Sequence, residues 1–225
     1  AVGDFFRDTT YFSVDREKQM YRPLLLVTFA VNYTLGGYDV SGYHLVNIAL
    51  HGLCAVLVWA LGLRLRLGQD RAFVCALLFA VHPIAAEPAN YISSRSELLM
   101  AAFFLFACLA HVTHACSGRR CWYIAAVVGA ALTLLSKSVG LVLIGVVVTC
   151  DCHLLGWTAA RRRWLAYLPY LALSLAYVLF SWSLVDRALS TRLRSVPTQF
   201  LTQVEALVYY IKLLVVPWGL NVEHQ

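Results

Sequence analysis

The feature that most constrains this chain is a succession of apolar runs, each about as long as a bilayer is thick. Six such runs cover residues 43–63, 70–90, 96–115, 122–136, 139–157 and 164–184. A hydrocarbon core of about 30 Å takes roughly 20 residues of helix to cross. No water is available there to satisfy backbone N–H and C=O groups, so the spans should be helices. A seventh run, 200–218, is a weaker span because it carries Glu205 and Lys212. The run 22–36 (RPLLLVTFAVNYTLG) is too short and interrupted to cross and reads as a helix lying in the interface. The expected fold is all-α: a polytopic membrane helical bundle of about six to seven spans plus an interfacial helix. Residues 1–42 form an outer loop and that helix, 43–220 the transmembrane bundle, and 221–225 the start of a truncated further segment.

Composition excludes the alternatives. Apolar residues make up 60% of the 225 residues and charged residues 13%, with a mean hydropathy of +0.69. Soluble domains are nearer half apolar and a quarter charged, so a soluble enzyme, a disordered tail or a nucleic-acid-binding module is not expected. The net charge of +6 serves orientation instead. Arg64, Arg66 and Arg71, then Arg119 and Arg120, then Arg161, Arg162 and Arg163 fall in alternate connections, hence on one side of the membrane. By the positive-inside rule that side is cytoplasmic. Residues 1–42, the turns near 90–96 and 136–140, and the loop 185–199 then face outward, to the periplasm if the membrane is a bacterial inner membrane. The seven cysteines are odd in number and partly inside apolar runs, which argues against a disulfide framework. Both ends read as cut from a longer protein.

Ionisable groups gather on the outer side, where each is costly unless it faces a cavity or partner. The segment HPIAAEPANYISSRSE holds His82, Glu87, Arg95 and Glu97 between two spans, with Pro83 and Pro88 interrupting helical hydrogen bonds. It is either a capped turn with internal ion pairs or a polar wall of a substrate cavity, and the density of charge favours the second. Lys137, in LLSKSVG, could snorkel to the interface or neutralise a phosphate. Arg22, before Pro23 and followed by Asn32 and Tyr33, could pair with a lipid phosphate or, by a small margin, with an acidic residue. Asp186, Arg187, Arg192 and Arg194 break the charge asymmetry locally and suggest contact with head groups or a phosphorylated substrate. The spacing of His114, Cys116, Cys121, Cys150, Asp151, Cys152 and His153 matches no standard metal-ligand pattern, so no metal is assigned. His44 and His51 read as packing or cavity-lining residues. Phosphate-loop, dinucleotide, zinc-protease and serine-hydrolase motifs are absent.

Several of these segments together resemble a known family. YRPLLLVTFAVNYTLGGYDVSGYHLVNIALH is similar to the RPL…FxLNYxLGG…xFHLVNxLLH segment of the TMTC-type transmembrane and tetratricopeptide-repeat O-mannosyltransferases and their bacterial relatives. HPIAAEPANYISSRSELLMA resembles HPxxTEAVAxIxGRxDLLAA, LLSKSVG resembles LSKExG, and VVPWGLNVEH resembles a closing P-x-x-L-x-x-D-H segment. The likeness runs in order from about Tyr21 to His224. It implies a GT-C glycosyltransferase that takes a sugar, mannose by analogy, from a polyprenyl-phosphate donor on the non-cytoplasmic face and passes it to a protein hydroxyl with inversion. In the family a tetratricopeptide-repeat region commonly follows. The general base, an aspartate commonly in an Asp-Asp pair of the first outer loop, is expected upstream of Ala1, since Asp4, Asp8 and Asp15 form no such pair. Ser138 stands where the family carries glutamate.

On this reading Lys137, Arg95 and Arg22 meet the donor phosphate, while Glu87, His82 and Glu97 orient groups or contact the sugar. No cofactor is assigned beyond the polyprenyl-phosphate sugar itself. The expected partners are membrane lipids, the lipid-linked sugar, an acceptor protein and a larger membrane assembly, with no nucleic acid. The rival readings are a non-catalytic scaffold subunit of the same fold and a transporter or lipid-binding protein. No inverted repeat supports the transporter.

Overall fold

The computed structural model describes residues 21–190 and 196–217. Among them every element is helical: α1 Pro23–Gly36, α2 Val40–Arg64, α3 Gln69–Val81, α4 Pro83–Asn90, α5 Arg95–Ser117, α6 Arg120–Ser136, α7 Leu143–Leu155, α8 Trp157–Arg162, α9 Leu168–Ser190 and α10 Val196–Val215. Short 3₁₀ turns precede α5 (Ile92–Ser94), α7 (Ser138–Val142) and α9 (Trp164–Tyr167). The expected all-α membrane bundle is what the chain forms.

Punctuation residues set the helix ends. Asp39 caps α2 by accepting from the Ser41 N–H at 3.1 Å. His82 ends α3 and caps α4, its ring accepting from the Ile84 N–H at 3.3 Å, and Pro83 occupies the first turn of α4, where no N–H is needed. The run expected as one span over 70–90 is therefore a pair, α3 and α4, bent by 50° at His82.

Among the described residues four stretches are long and apolar enough to cross a membrane by themselves: Val40–Arg64, Ile92–Ser117, Ser138–Leu155 and Trp164–Trp182. The bent pair α3–α4 makes a fifth. The shorter apolar helix α6 joins the same two ends of the bundle. Helix α6 has 17 residues, about 26 Å at 1.5 Å per residue and at the short end of spanning length, and it runs from Arg120 at the basic end to Lys137 at the polar end. Helix α10 carries Glu205 and Lys212, and its last turn lies at the His82 end of the bundle, where the Leu214 carbonyl is 3.2 Å from His82 Nε2. Helix α9 has reached that same end by Phe180, whose ring packs at a tilt against Tyr21.

Helices α2, α3, α5, α6 and α7 alternate in direction, which gives the bundle two unlike ends. The basic end holds the connections with Arg64, Arg66, Arg119, Arg120 and Arg161–Arg163. The polar end holds the α3–α4 bend, the start of α5 and the end of α6. The core lies where α5 and α6 pack, around Ala107, Cys108, Ala110, Ala126, Ala130, Leu143, Val147 and Tyr170. Gly129 lets the two helices close: a Cβ there would stand 3.2 Å from the Ala107 Cα. Small residues at such crossings are how membrane helices gain packing without a hydrophobic driving force. All seven cysteines are free thiols, with Cys54, Cys108 and Cys150 buried.

Candidate functional site

The polar end brings together residues from three of the segments singled out by sequence. Lys137 ends α6, and its ammonium donates to Glu97 Oε1 at 2.7 Å, joining residues 40 apart in the chain. Glu97 lies in the first turn of α5, where the positive end of the helix dipole favours a carboxylate. The pair is reachable from outside, with the lysine side chain 21% and the glutamate 45% exposed. Arg22, at the start of α1, donates from Nη1 to Ser96 Oγ at 3.1 Å. Burial pulls the guanidinium below the usual arginine range, and the Glu97 carboxylate opposes that shift. Lys137 and Arg22 thus both lie within electrostatic reach of Glu97. Tyr21 packs at a tilt against Phe180 (4.9 Å between centroids) and Tyr177 (6.4 Å) of α9, which adds an aromatic border beside Arg22.

The turn that aims Lys137 is tight. After Ser136 the chain is extended at Lys137 and folds back through the 3₁₀ turn Ser138–Val142. Gly140 packs against α6 so closely that a Cβ would meet Thr133 Cγ2 at 2.7 Å and the Leu134 amide N at 3.3 Å. Ser138 carries no charge beside the pair and is exposed.

Arg95 has a different setting. It is fully buried. Nε donates to Asn47 Oδ1 (2.8 Å), Nη1 to Asn32 Oδ1 (2.7 Å) and the Thr28 carbonyl (3.4 Å), and Nη2 to the Tyr43 carbonyl (2.9 Å). Its guanidinium lies over the rings of Phe29 (4.7 Å) and Tyr43 (5.4 Å). Asn47, also fully buried, donates to the Tyr91 carbonyl at 3.0 Å. One cation, compensated by neutral acceptors and ring faces, thus ties α1, α2 and α5 together beneath the Arg22–Glu97–Lys137 cluster.

His82 and Glu87 lie apart from that cluster. His82 accepts from its own helix start through Nδ1, so Nε2 carries the proton that reaches Leu214 O of α10. Glu87 is exposed on α4, with no ion pair among the described residues. His51 bonds the Ala80 carbonyl at 3.0 Å and stacks on Phe79. Of the sulfur and histidine group near the basic end, His114 bonds the Arg119 carbonyl and His153 the Leu65 carbonyl. No three ligating groups converge on a metal position among the described residues. Asp4, Asp8, Asp15, Asp186, Arg187, Arg192, Arg194 and most of VVPWGLNVEH lie outside the residues whose side chains are described.

Sequence reasoning did not single out one buried network. His111 and Asp151, both fully buried, face each other with Nε2 and Oδ2 3.3 Å apart. His111 Nδ1 is 2.9 Å from the Tyr170 hydroxyl, and Tyr167 donates to Asp151 Oδ2 at 2.8 Å. The network joins α5, α7 and α9 near the basic end. The signal that could have found it is an ionisable residue in each of two apolar runs.

A family model described as "Dolichyl-phosphate-mannose-protein mannosyltransferase" matches residues 23–185. Protein O-mannosyl-transferase TMTC3 of Mus musculus is 39% identical over 102 residues, covering 45% of this chain and 11% of its own length. Protein O-mannosyl-transferase F38B6.6 of Caenorhabditis elegans is 35% identical over 142 residues, 62% of this chain and 20% of its own. Protein O-mannosyl-transferase tmtc2 of Xenopus laevis is 34% identical over 155 residues, 65% and 18%. The chain therefore spans a fifth or less of the length of these relatives. No solved structure matches it.

Proposed function

This chain belongs to the dolichyl-phosphate-mannose-protein mannosyltransferase family, and from that premise we propose that it is the membrane part of a protein O-mannosyltransferase. The donor is a polyprenyl-phosphate mannose and the acceptor a protein hydroxyl. Transfer takes place on the non-cytoplasmic face, the periplasm in a bacterial inner membrane. The observation that carries the reading is the gathering of Arg22, Glu97 and Lys137 at the polar end, with an accessible ammonium held at 2.7 Å from its carboxylate.

The chemistry follows from charge. A sugar on a polyprenyl phosphate is a phosphodiester with one negative charge. As the bond from the anomeric carbon to phosphate oxygen breaks, the leaving phosphate gains a second. Cations already in place stabilise that developing charge without reorganising. Lys137 supplies one, with Glu97 fixing its direction, and Arg22 supplies the other at the mouth of the site. Arg95 acts as a positioning residue that holds α1 and α5 in register beneath them. His82 and Glu87 line the neighbouring α3–α4 bend, where sugar or acceptor contacts fall. The acceptor hydroxyl loses its proton to a carboxylate, which we place in the chain before α1, because Glu97 is engaged with Lys137.

The test is mannose transfer from polyprenyl-phosphate mannose by membranes carrying the full-length protein. Lys137→Ala should lower kcat by about a hundredfold or more, the cost of removing one preorganised electrostatic partner. An unchanged rate would take Lys137 out of the site. One observation favours a second reading, a non-catalytic scaffold: Lys137 is already neutralised by Glu97 within the protein. Under that reading neither the parent protein nor the variant transfers mannose.

A further inference from the structure

The basic end carries a second arrangement that the transfer reaction does not use. After α7 the chain turns at Gly156 into the short helix α8, then through Arg163 and the 3₁₀ turn Trp164–Tyr167 into α9. This connection is pinned from inside at several points. Tyr167 donates to both Asp151 Oδ2 (2.8 Å) and the Ala160 carbonyl (3.3 Å). Tyr123 of α6 donates to the Ala166 carbonyl at 3.0 Å. Arg163 turns inward, with Nε 3.8 Å from Asp151 Oδ2. His153 bonds the Leu65 carbonyl at 3.1 Å, which sets the neighbouring loop with Arg64 and Arg66 beside the end of α7.

With Arg163 and Tyr167 engaged inward, the outer surface of the segment is Trp157 (63% exposed), Arg161, Arg162 and Trp164 (58% exposed). Indole rings of this exposure settle at the head-group level of a bilayer. Seven arginines are exposed at this end: Arg64, Arg66, Arg71, Arg119, Arg120, Arg161 and Arg162. Among the described residues the acids here are the exposed Asp70 and the buried Asp151. A surface that is membrane-facing, rigid and cationic, with indoles bracketing two outward guanidinium groups, fits the phosphate and carboxylate of an anionic lipid head group.

We infer that the Trp157–Trp164 segment is a binding site for anionic phospholipid. The two rings bury at the glycerol level, and Arg161 and Arg162 reach the head-group anion from above. The inference rests on the membrane-embedded fold and is independent of the transfer reaction.

Native mass spectrometry of the protein released from nanodiscs of equal phosphatidylserine and phosphatidylcholine tests it. Wild type should retain phosphatidylserine over phosphatidylcholine by roughly thirtyfold, as expected for a pair of basic residues at the membrane surface. R161Q/R162Q should erase the preference and R161K/R162K should keep it. For wild type, raising salt to about 0.5 M before release should weaken it, since that shortens the screening length to a few ångströms. Equal retention of the two lipids by wild type overturns the site. So does an R161Q/R162Q protein that still prefers phosphatidylserine, or displacement of the lipid by millimolar glycerophosphoserine, which would show that a free head group suffices. If R161Q/R162Q does not fold, the wild-type preference and its salt dependence decide the matter.

Discussion

Arg95 and Glu97 stand two residues apart at the start of α5 and face opposite ways, because two residues turn a helix by about 200°. Arg95 points under α1 and α2, where burial is complete and the partners are neutral, while Glu97 points to the end of α6 and meets Lys137 partly in the open. Their energetics differ accordingly. A buried guanidinium that spreads three nitrogens over four acceptors and lies over two rings is not replaceable by an ammonium on a flexible stem. Arg95→Lys should lower stability by about 3 kcal/mol or more, because acceptors are left unsatisfied in the interior. Glu97→Gln should change it by less than about 1 kcal/mol, as for other partly exposed ion pairs. Thermal unfolding of the two variants in one detergent, compared with the parent, separates them. Equal losses would mean that Arg95 is no more deeply committed than Glu97.

At the level of elements, the turn between α6 and α7 carries the functional argument. Lys137 can face Glu97 only because Gly140 lets the following 3₁₀ turn lie against Thr133. Gly140→Ala puts a methyl within 2.7 Å of Thr133 Cγ2, so the turn must lift and carry Lys137 away from α5. Mannose transfer should fall at least about tenfold, since misplacement by about 1 Å is costly to catalysis, while helix content by circular dichroism stays unchanged. Full activity in Gly140→Ala would break the link between this turn and the site. Much of this level was legible in the sequence. Apolar length marked α2, α5, α7 and α9, while 70–90 read as one span, with Pro83 and Pro88 marking only interrupted hydrogen bonds. Two elements carry a weaker apolar signal for physical reasons. Helix α6, stopped at Lys137, is short for a span, and α10 carries Glu205 and Lys212 in its apolar run. Lys137, Glu97 and Arg22 were each marked by their cost in an apolar setting. Their pairing was not legible, since contacts 40 and 74 residues apart depend on helix packing. The His111–Asp151 pair escaped for the same reason: each residue sits alone in a run whose apolar neighbours dominate any local reading.

For the whole molecule, the sorting of charge by end turns on which way the bundle sits in the membrane. The basic end exposes arginines from three connections, and the polar end offers Glu87, Glu97 and Lys137. Under the positive-inside rule the first faces the cytoplasm, and the proposed transfer then takes place on the opposite side. The chain carries its own reporters: Cys116 and Cys121 flank the α5–α6 connection and are exposed as free thiols. A membrane-impermeant maleimide added to intact cells or sealed vesicles of known sidedness should leave both unlabelled from the non-cytoplasmic side and label them after permeabilisation. In a background with Cys116 and Cys121 changed to Ser, Glu87→Cys should show the reverse, reacting before permeabilisation, because residue 87 is exposed on α4 at the polar end. Cys75, exposed in the interior of α3, faces the apolar zone and should stay unlabelled in both cases, since maleimide attack needs a thiolate in contact with water. Labelling of Cys116 and Cys121 from the outside, with Glu87→Cys protected, would invert the bundle and set the Arg22–Glu97–Lys137 cluster on the cytoplasmic side, where the proposed mannose transfer could not take place.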